Sequence, residues 1–157
     1  MRERIEHNEA DEPGSGVDVQ FAGLLLHACD AFEEQAEAAA EHDINEALAL
    51  RHHPGSVALA DLTDRLLSRC EGLSGGIEGI PAVERDARAS GALKTWAQLV
   101  KDGPDAGPLG TWSYTRHLAL TARDMVRVLR ERRASQQAIA AAFIGRTGLP
   151  PLTPDAR

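Results

Sequence analysis

At 157 residues, with 43% hydrophobic, 26% charged and 4% aromatic residues, the chain fits one compact domain rather than two. No run approaches the ~20 consecutive apolar residues that a membrane helix requires, which excludes a transmembrane protein. The net charge of −7 conceals a gradient, since residues 1–50 hold 13 acids against 2 bases, residues 51–110 hold 8 against 7, and residues 111–157 hold 3 against 8.

Met1 to Gly16 is acidic and closes on Pro13-Gly14-Ser15-Gly16, a composition that buries too little apolar surface to offset ordering, so a disordered leader is expected. Its first residues are dense in charge and have no apolar core, unlike a secretory signal. A first helix is predicted from Val17, with Asp18 as N-cap and Phe21, Leu24, Leu25, Ala28 and Phe32 as its apolar stripe. Alanines 36, 38, 39 and 40 carry it toward Glu41, and His42-Asp43-Ile44-Asn45 reads as a break before a short helical piece that ends at His52-His53-Pro54-Gly55.

Ser56 is the expected cap of a second helix, whose stripe is Leu59, Leu62, Leu66, Leu73, Ile77 and Ile80, ended by Pro81. Gly72, Gly75, Gly76 and Gly79 lie inside it, and each costs ~1 kcal/mol relative to alanine. Such a stretch either frays or accommodates a close neighbour. Ala82 to Val100 reads as a third helix with Val83, Leu93, Trp96, Ala97 and Val100 as apolar members, followed by a Gly/Pro loop over 101–110. A fourth helix opens after Thr111 or Ser113 and reaches at least Arg133, with Tyr114, Leu118, Ala122, Met125 and Leu129 on one face. Ala134 to Ile144 either continues it or forms a short extra helix. No segment alternates as a strand would. Amphipathic helices without a sheet must cover one another, which points to a bundle.

The first helix carries His27, Asp30, Glu34, Glu37 and Glu41 along one face. Di-iron bundles hold metal with inward carboxylates, but they use Glu-x-x-His pairs, and this chain has none. A solvated acidic face is the expectation, and no metal or cofactor is expected. His52-His53 reads as a surface turn. Trp96, Trp112 and Tyr114 are half of the six aromatics and bracket the Gly/Pro loop. With Arg116 and His117 they are candidate ligand-binding residues, and His117, Tyr114 and Arg116 are the candidate catalytic groups. The same aromatics could simply close the core.

Cys29 and Cys70 have no metal spacing, lie on apolar or boundary positions of two helices and read as small buried hydrophobes in a reducing cytoplasm. There is no phosphate loop, dinucleotide fingerprint or His-Glu-x-x-His. The last helix is basic, with Arg116, Arg123, Arg127, Arg130, Arg132 and Arg133, and Gln137, Ala141 and Gly145 have helix-turn-helix spacing. Pro150 and Pro151 forbid the recognition helix that would have to follow, so nucleic acid is not an expected partner.

The segment from Leu62 to Arg133 carries a resemblance. Leu66-Leu67-Ser68-Arg69, Ile80-Pro81-Ala82-Val83-Glu84, Ala92-Leu93 with Trp96, Gly107-Pro108-Leu109-Gly110-Thr111-Trp112-Ser113-Tyr114-Thr115-Arg116-His117-Leu118-Ala119 and Ala122-Arg123 are similar to a family of small actinomycete (Streptomyces-type) proteins of natural product biosynthesis. That family has no known function. The use of 15 arginines against 2 lysines agrees with a high-GC actinomycete. Where the family has Gly-His after the arginine, this chain has Cys70-Glu71-Gly72, so no shared histidine is carried over.

Together these readings predict an all-α fold, an antiparallel bundle of four main helices over residues 17–145 with a C-terminal tail over 146–157. The expected role is that of an accessory or regulatory protein acting in the cytoplasm by protein–protein or small-ligand binding, and the resemblance supplies its setting in a natural-product pathway. The alternative is a cofactor-free biosynthetic enzyme with a pocket between the helices near Trp112 and His117. Expected partners are a second copy in a homodimer, a pathway protein or a small apolar metabolite, and not a membrane. The acidic stripe from Asp30 to Glu41 and the basic stripe from Arg116 to Arg133 are expected to neutralise each other, within the fold or between subunits.

Overall fold

A computed structural model describes residues 15–107 and 109–144. They form α1 (Ser15–Ala49), α2 (Ser56–Glu78), a 3-10 turn (Ala82–Glu84), α3 (Ala87–Asp102) and α4 (Gly110–Ile144), with no strand among the described residues. The expected leader up to residue 14 and the expected tail lie outside the described residues. Ser15 and Gly16, expected in the leader, are helical. Ala134 to Ile144 continues α4 rather than forming a separate helix.

The chain divides into two compact units, residues 1–36 and residues 37–157. In the first, the described part is the N-terminal half of α1. Its predicted stripe is not a core, because Phe21, Leu24, Leu25 and Phe32 are 63, 69, 52 and 75% exposed. Cys29, expected to be buried, is exposed as well.

In the second unit α2 and α4 form the central pair. Thr63 meets Thr115, Cys70 meets Leu118, and Gly76 faces Leu129. Residue numbers rise together along both helices, so the two run parallel. The end of α1 runs antiparallel to α4, since Glu37 reaches Arg133 and Leu50 reaches Arg116. α3 is also antiparallel to α4, joined to it by Arg88 with Glu131 at one end and Leu99 with Tyr114 at the other. Consecutive helices therefore alternate in direction, as an antiparallel four-helix bundle requires.

The α2 stripe is the spine of the core: Leu59, Leu62, Leu66, Leu73, Ile77 and Ile80 are all buried, and so are Tyr114, Leu118, Ala122 and Met125 of α4. The α1 contribution comes from Ala40, Ile44 and Ala47, beyond the stripe expected from periodicity. The expected break at His42 to Asn45 does not occur. Ile44 is 3% exposed inside the core, and Asp43 is held by two arginines of α2, so tertiary contacts override weak local propensity.

Two helix starts also differ from expectation. Ser56 is the first helical residue of α2 rather than its cap, because Gly55 (φ 98°) takes the N-cap position. α3 begins at Ala87, where the Asp86 carboxylate accepts the Ala89 N–H at 2.7 Å. That start sets the buried face as Ala89, Ala92, Leu93, Trp96 and Leu99 and leaves Val83 and Val100 exposed. α3 ends at Gly103, whose φ of 65° suits glycine.

The glycine-rich end of α2 stays helical to Glu78. A Cβ at Gly72 or Gly75 would meet nothing within 4 Å, whereas one at Gly76 would lie 3.4 Å from the Leu129 methyl groups. A Cβ at Gly79 would lie 3.4 Å from the Gly76 carbonyl oxygen, so of the four positions only Gly76 meets a side chain of a neighbouring helix.

Candidate functional site

The five residues singled out from sequence occupy the junction of α3 and α4, and the structure gives them different surroundings. Tyr114 is buried and its hydroxyl donates to the Leu99 carbonyl at 3.2 Å, tying the end of α3 to the start of α4. Burial raises its phenol pKa. Trp112 is half-buried with its ring 5.4 Å from that of His53 and tilted by 51°. Arg116 is half-buried and donates to the Leu50 carbonyl at 3.5 Å, a long bond that reaches the end of α1. Trp96 packs against the core from α3, and His117 is exposed. Thus Tyr114 is brought to α3, while Trp112 and Arg116 are turned toward the segment between α1 and α2.

A cluster of ion pairs lies further back along α1, on the acidic stripe expected either to be solvated or to be neutralised by the basic stripe of the last helix. Glu37 is 3% exposed and accepts from Arg130 Nε at 3.1 Å and from Arg133 Nη2 at 2.6 Å. Glu41 accepts from Arg130 Nη1 at 2.5 Å. Glu34, one turn earlier, is exposed, and the side chains of His27 and Asp30 lie outside the described set. The acidic and basic stripes do meet within one chain, through Glu37, Glu41, Arg130 and Arg133.

Asp43 was hidden in sequence inside an apparent helix break. It is 2% exposed and accepts from Arg69 Nε at 3.0 Å and from Arg65 Nη1, while Arg65 Nη2 donates to Glu46 at 2.8 Å. The hydrogen bond to Glu46 raises the Arg65 pKa, and those to Glu41 and Glu37 raise that of Arg130. A carboxylate leaves water only when ion pairs and hydrogen bonds compensate it, which these four arginines do. His42, Asp43 and Glu46 place candidate ligand atoms within 4.8 Å of one another. A cation there would have to displace guanidinium groups already bound to both carboxylates.

Among the described residues, two clefts flank α4. The larger, of 400 Å³, lies between the α2–α3 connection and the end of α4, with Ile80, Ala89, Val128 and Ile139 as apolar lining. Its charged rim is compensated: Arg88 pairs with Glu131, Arg132 with Glu84, and Arg85 donates to the carbonyls of Ile80 and Glu78. The smaller, of 280 Å³, lies between α1 and α4, with Ile44, Asn45, Arg123, Val126 and Arg127 among its lining residues. None of the five sequence candidates lines either cleft. Periodicity shows which residues share a helix face but not which neighbouring helix faces them, so neither cleft was visible in sequence.

No protein-family model, no curated protein and no solved structure matches this chain. Among the described residues, no helix is long and apolar enough to cross a membrane.

Proposed function

We propose that this protein is a non-catalytic accessory or regulatory protein of an actinomycete natural-product pathway, and that it acts by binding another protein through residues 15–36 of α1. The carrying observation is the exposed stripe of Phe21, Leu24, Leu25 and Phe32. A single helix has no means of covering its own apolar face, and most of a helix's stability comes from packing such a face against a neighbour. The same segment holds Asp18, Asp30, Glu33 and Glu34 and no lysine or arginine. Such a helix suits an apolar groove with a basic rim, read through anchors spaced by three and four residues. The pathway setting rests on the resemblance in residues 62–133.

Two buried groups, Cys70 and Tyr114, lend no support to the alternative of an enzyme. Burial pushes the Cys70 thiol up to about 12 and raises Tyr114, so both stay protonated at neutral pH and are poor nucleophiles or bases. The test is co-expression of the full chain with the products of its flanking genes, read by light scattering after size exclusion. A complex is expected for the wild type and its loss for Leu24→Glu/Phe32→Glu, with the melting temperature unchanged. A doubling of mass for the chain alone, lost in the same variant, would put a second copy in place of a pathway protein. Absence of both complexes would sink the reading.

A further inference from the structure

The arginines of α4 are not equivalent. Arg116 donates to a carbonyl, and Arg130, Arg132 and Arg133 each bind a carboxylate. Arg123 and Arg127 are exposed and have no ion-pair partner among the described residues. They stand one turn apart on one face, where like charges disfavour the helix. Both line the 280 Å³ cleft between α1 and α4, which also includes Ile44 and Val126, 3% and 4% exposed. The two acids at this cleft are already engaged, Glu41 by Arg130 and Glu131 by Arg88. Two uncompensated guanidinium groups therefore face a small depression with an apolar floor.

We propose that this cleft binds a small organic oxyanion, a carboxylate or phosphate ester on a short apolar body, with Arg123 and Arg127 as the anion ligands and Ile44 and Val126 against the apolar part. Guanidinium groups recognise such oxyanions by paired N–H donors, and a bound anion relieves the repulsion between neighbouring cations. The cleft lies at the lower end of ligand-site volumes, which limits the ligand to a small metabolite. This site is separate from the exposed stripe of α1, and its test does not involve that surface.

Hexanoate and hexyl phosphate are titrated into the full chain by calorimetry, with hexanol and inorganic phosphate as half-probes, while the Ile44 and Val126 methyl resonances are followed by NMR. Both alkyl anions are expected to bind saturably and to shift these methyls, and each half-probe to bind at least about tenfold more weakly. Arg123→Gln/Arg127→Gln should weaken hexanoate at least about tenfold without lowering the melting temperature, and Lys94→Gln on α3 should leave hexanoate binding unaltered. Failure of both alkyl anions to saturate overturns the proposal. So does equal weakening by Lys94→Gln, the mark of diffuse surface charge. A tetraglutamate peptide that displaces hexanoate at equal concentration would assign the arginines to an acidic protein surface and likewise overturn it.

Discussion

Glu37 shows how much one residue's surroundings change its role. As a member of a run of acids it is indistinguishable from Glu34, yet it is buried against Arg130 and Arg133 while Glu34 is exposed. Glu37→Ala leaves a guanidinium, Arg133, largely withdrawn from water with its main partner gone. It should lower stability by about 1 to 3 kcal/mol in urea unfolding, below the full cost of a buried pair because Arg130 is half exposed. Glu34→Ala should change it by less than ~0.5 kcal/mol. Cys70 offers a second test. Its thiol donates to the Leu118 carbonyl at 3.5 Å, and burial pushes its pKa up to about 12. The native state then holds a proton that the unfolded chain releases near its ordinary thiol pKa, so the unfolded state binds fewer protons as pH rises. Stability contributed by Cys70 is complete below pH ~8.5 and is lost as pH rises toward 12, with a slope of up to about 1.4 kcal/mol per pH unit. Cys70→Ala should flatten this alkaline loss. In native protein at pH 8, a disulfide reagent should titrate one thiol, exposed Cys29, and a second only after denaturation.

At the scale of elements, the end of α2 carries helix-disfavouring glycines without a packing reason at most of them. Gly72 and Gly75 have open space where a Cβ would stand. Gly72→Ala and Gly75→Ala should each raise stability by about 0.5 to 1 kcal/mol, measured as the urea midpoint at constant slope. Gly110, at the start of α4, is the opposite case, since a Cβ there would lie 1.9 Å from the Asp105 carbonyl oxygen. Gly110→Ala forces loop backbone to move and should destabilise by more than ~1 kcal/mol. The contrast arises because Gly72 and Gly75 have open space beside them and Gly110 meets a folded-back loop.

Across the whole molecule, α1 belongs to two regimes. Residues 37–49 put Ala40, Ile44 and Ala47 into the core and Glu37 and Asp43 into ion pairs. The preceding half presents exposed Phe21, Leu24, Leu25 and Phe32. Hydrogen exchange should divide α1 accordingly: amides of residues 24–36 should exchange at least about tenfold faster than those of 40–47, and a bound protein partner should slow the former selectively. Uniform protection along α1 in the free protein would remove the distinction.

What sequence alone determined is the class of structure and the better half of its core. The three- and four-residue spacing of Leu59, Leu62 and Leu66, and of Tyr114, Leu118, Ala122 and Met125, needs no partner to be recognised, because a helix imposes that period by itself. An equally regular stripe at Phe21 to Phe32 shows the limit of the same signal, since periodicity reveals that a face wants cover and not whether the chain supplies it. Opposite stripes of charge on the first and last helices foretold that they could pair, and Glu37 and Glu41 with Arg130 and Arg133 do so. Only the tertiary structure decided that Asp43 and Glu37 are buried, that α3 starts at Ala87 rather than Ala82, and that Arg123 and Arg127 are left beside an open cleft. Each of these depends on which side chain a neighbouring helix brings within a few ångströms, a long-range complementarity that local sequence does not encode.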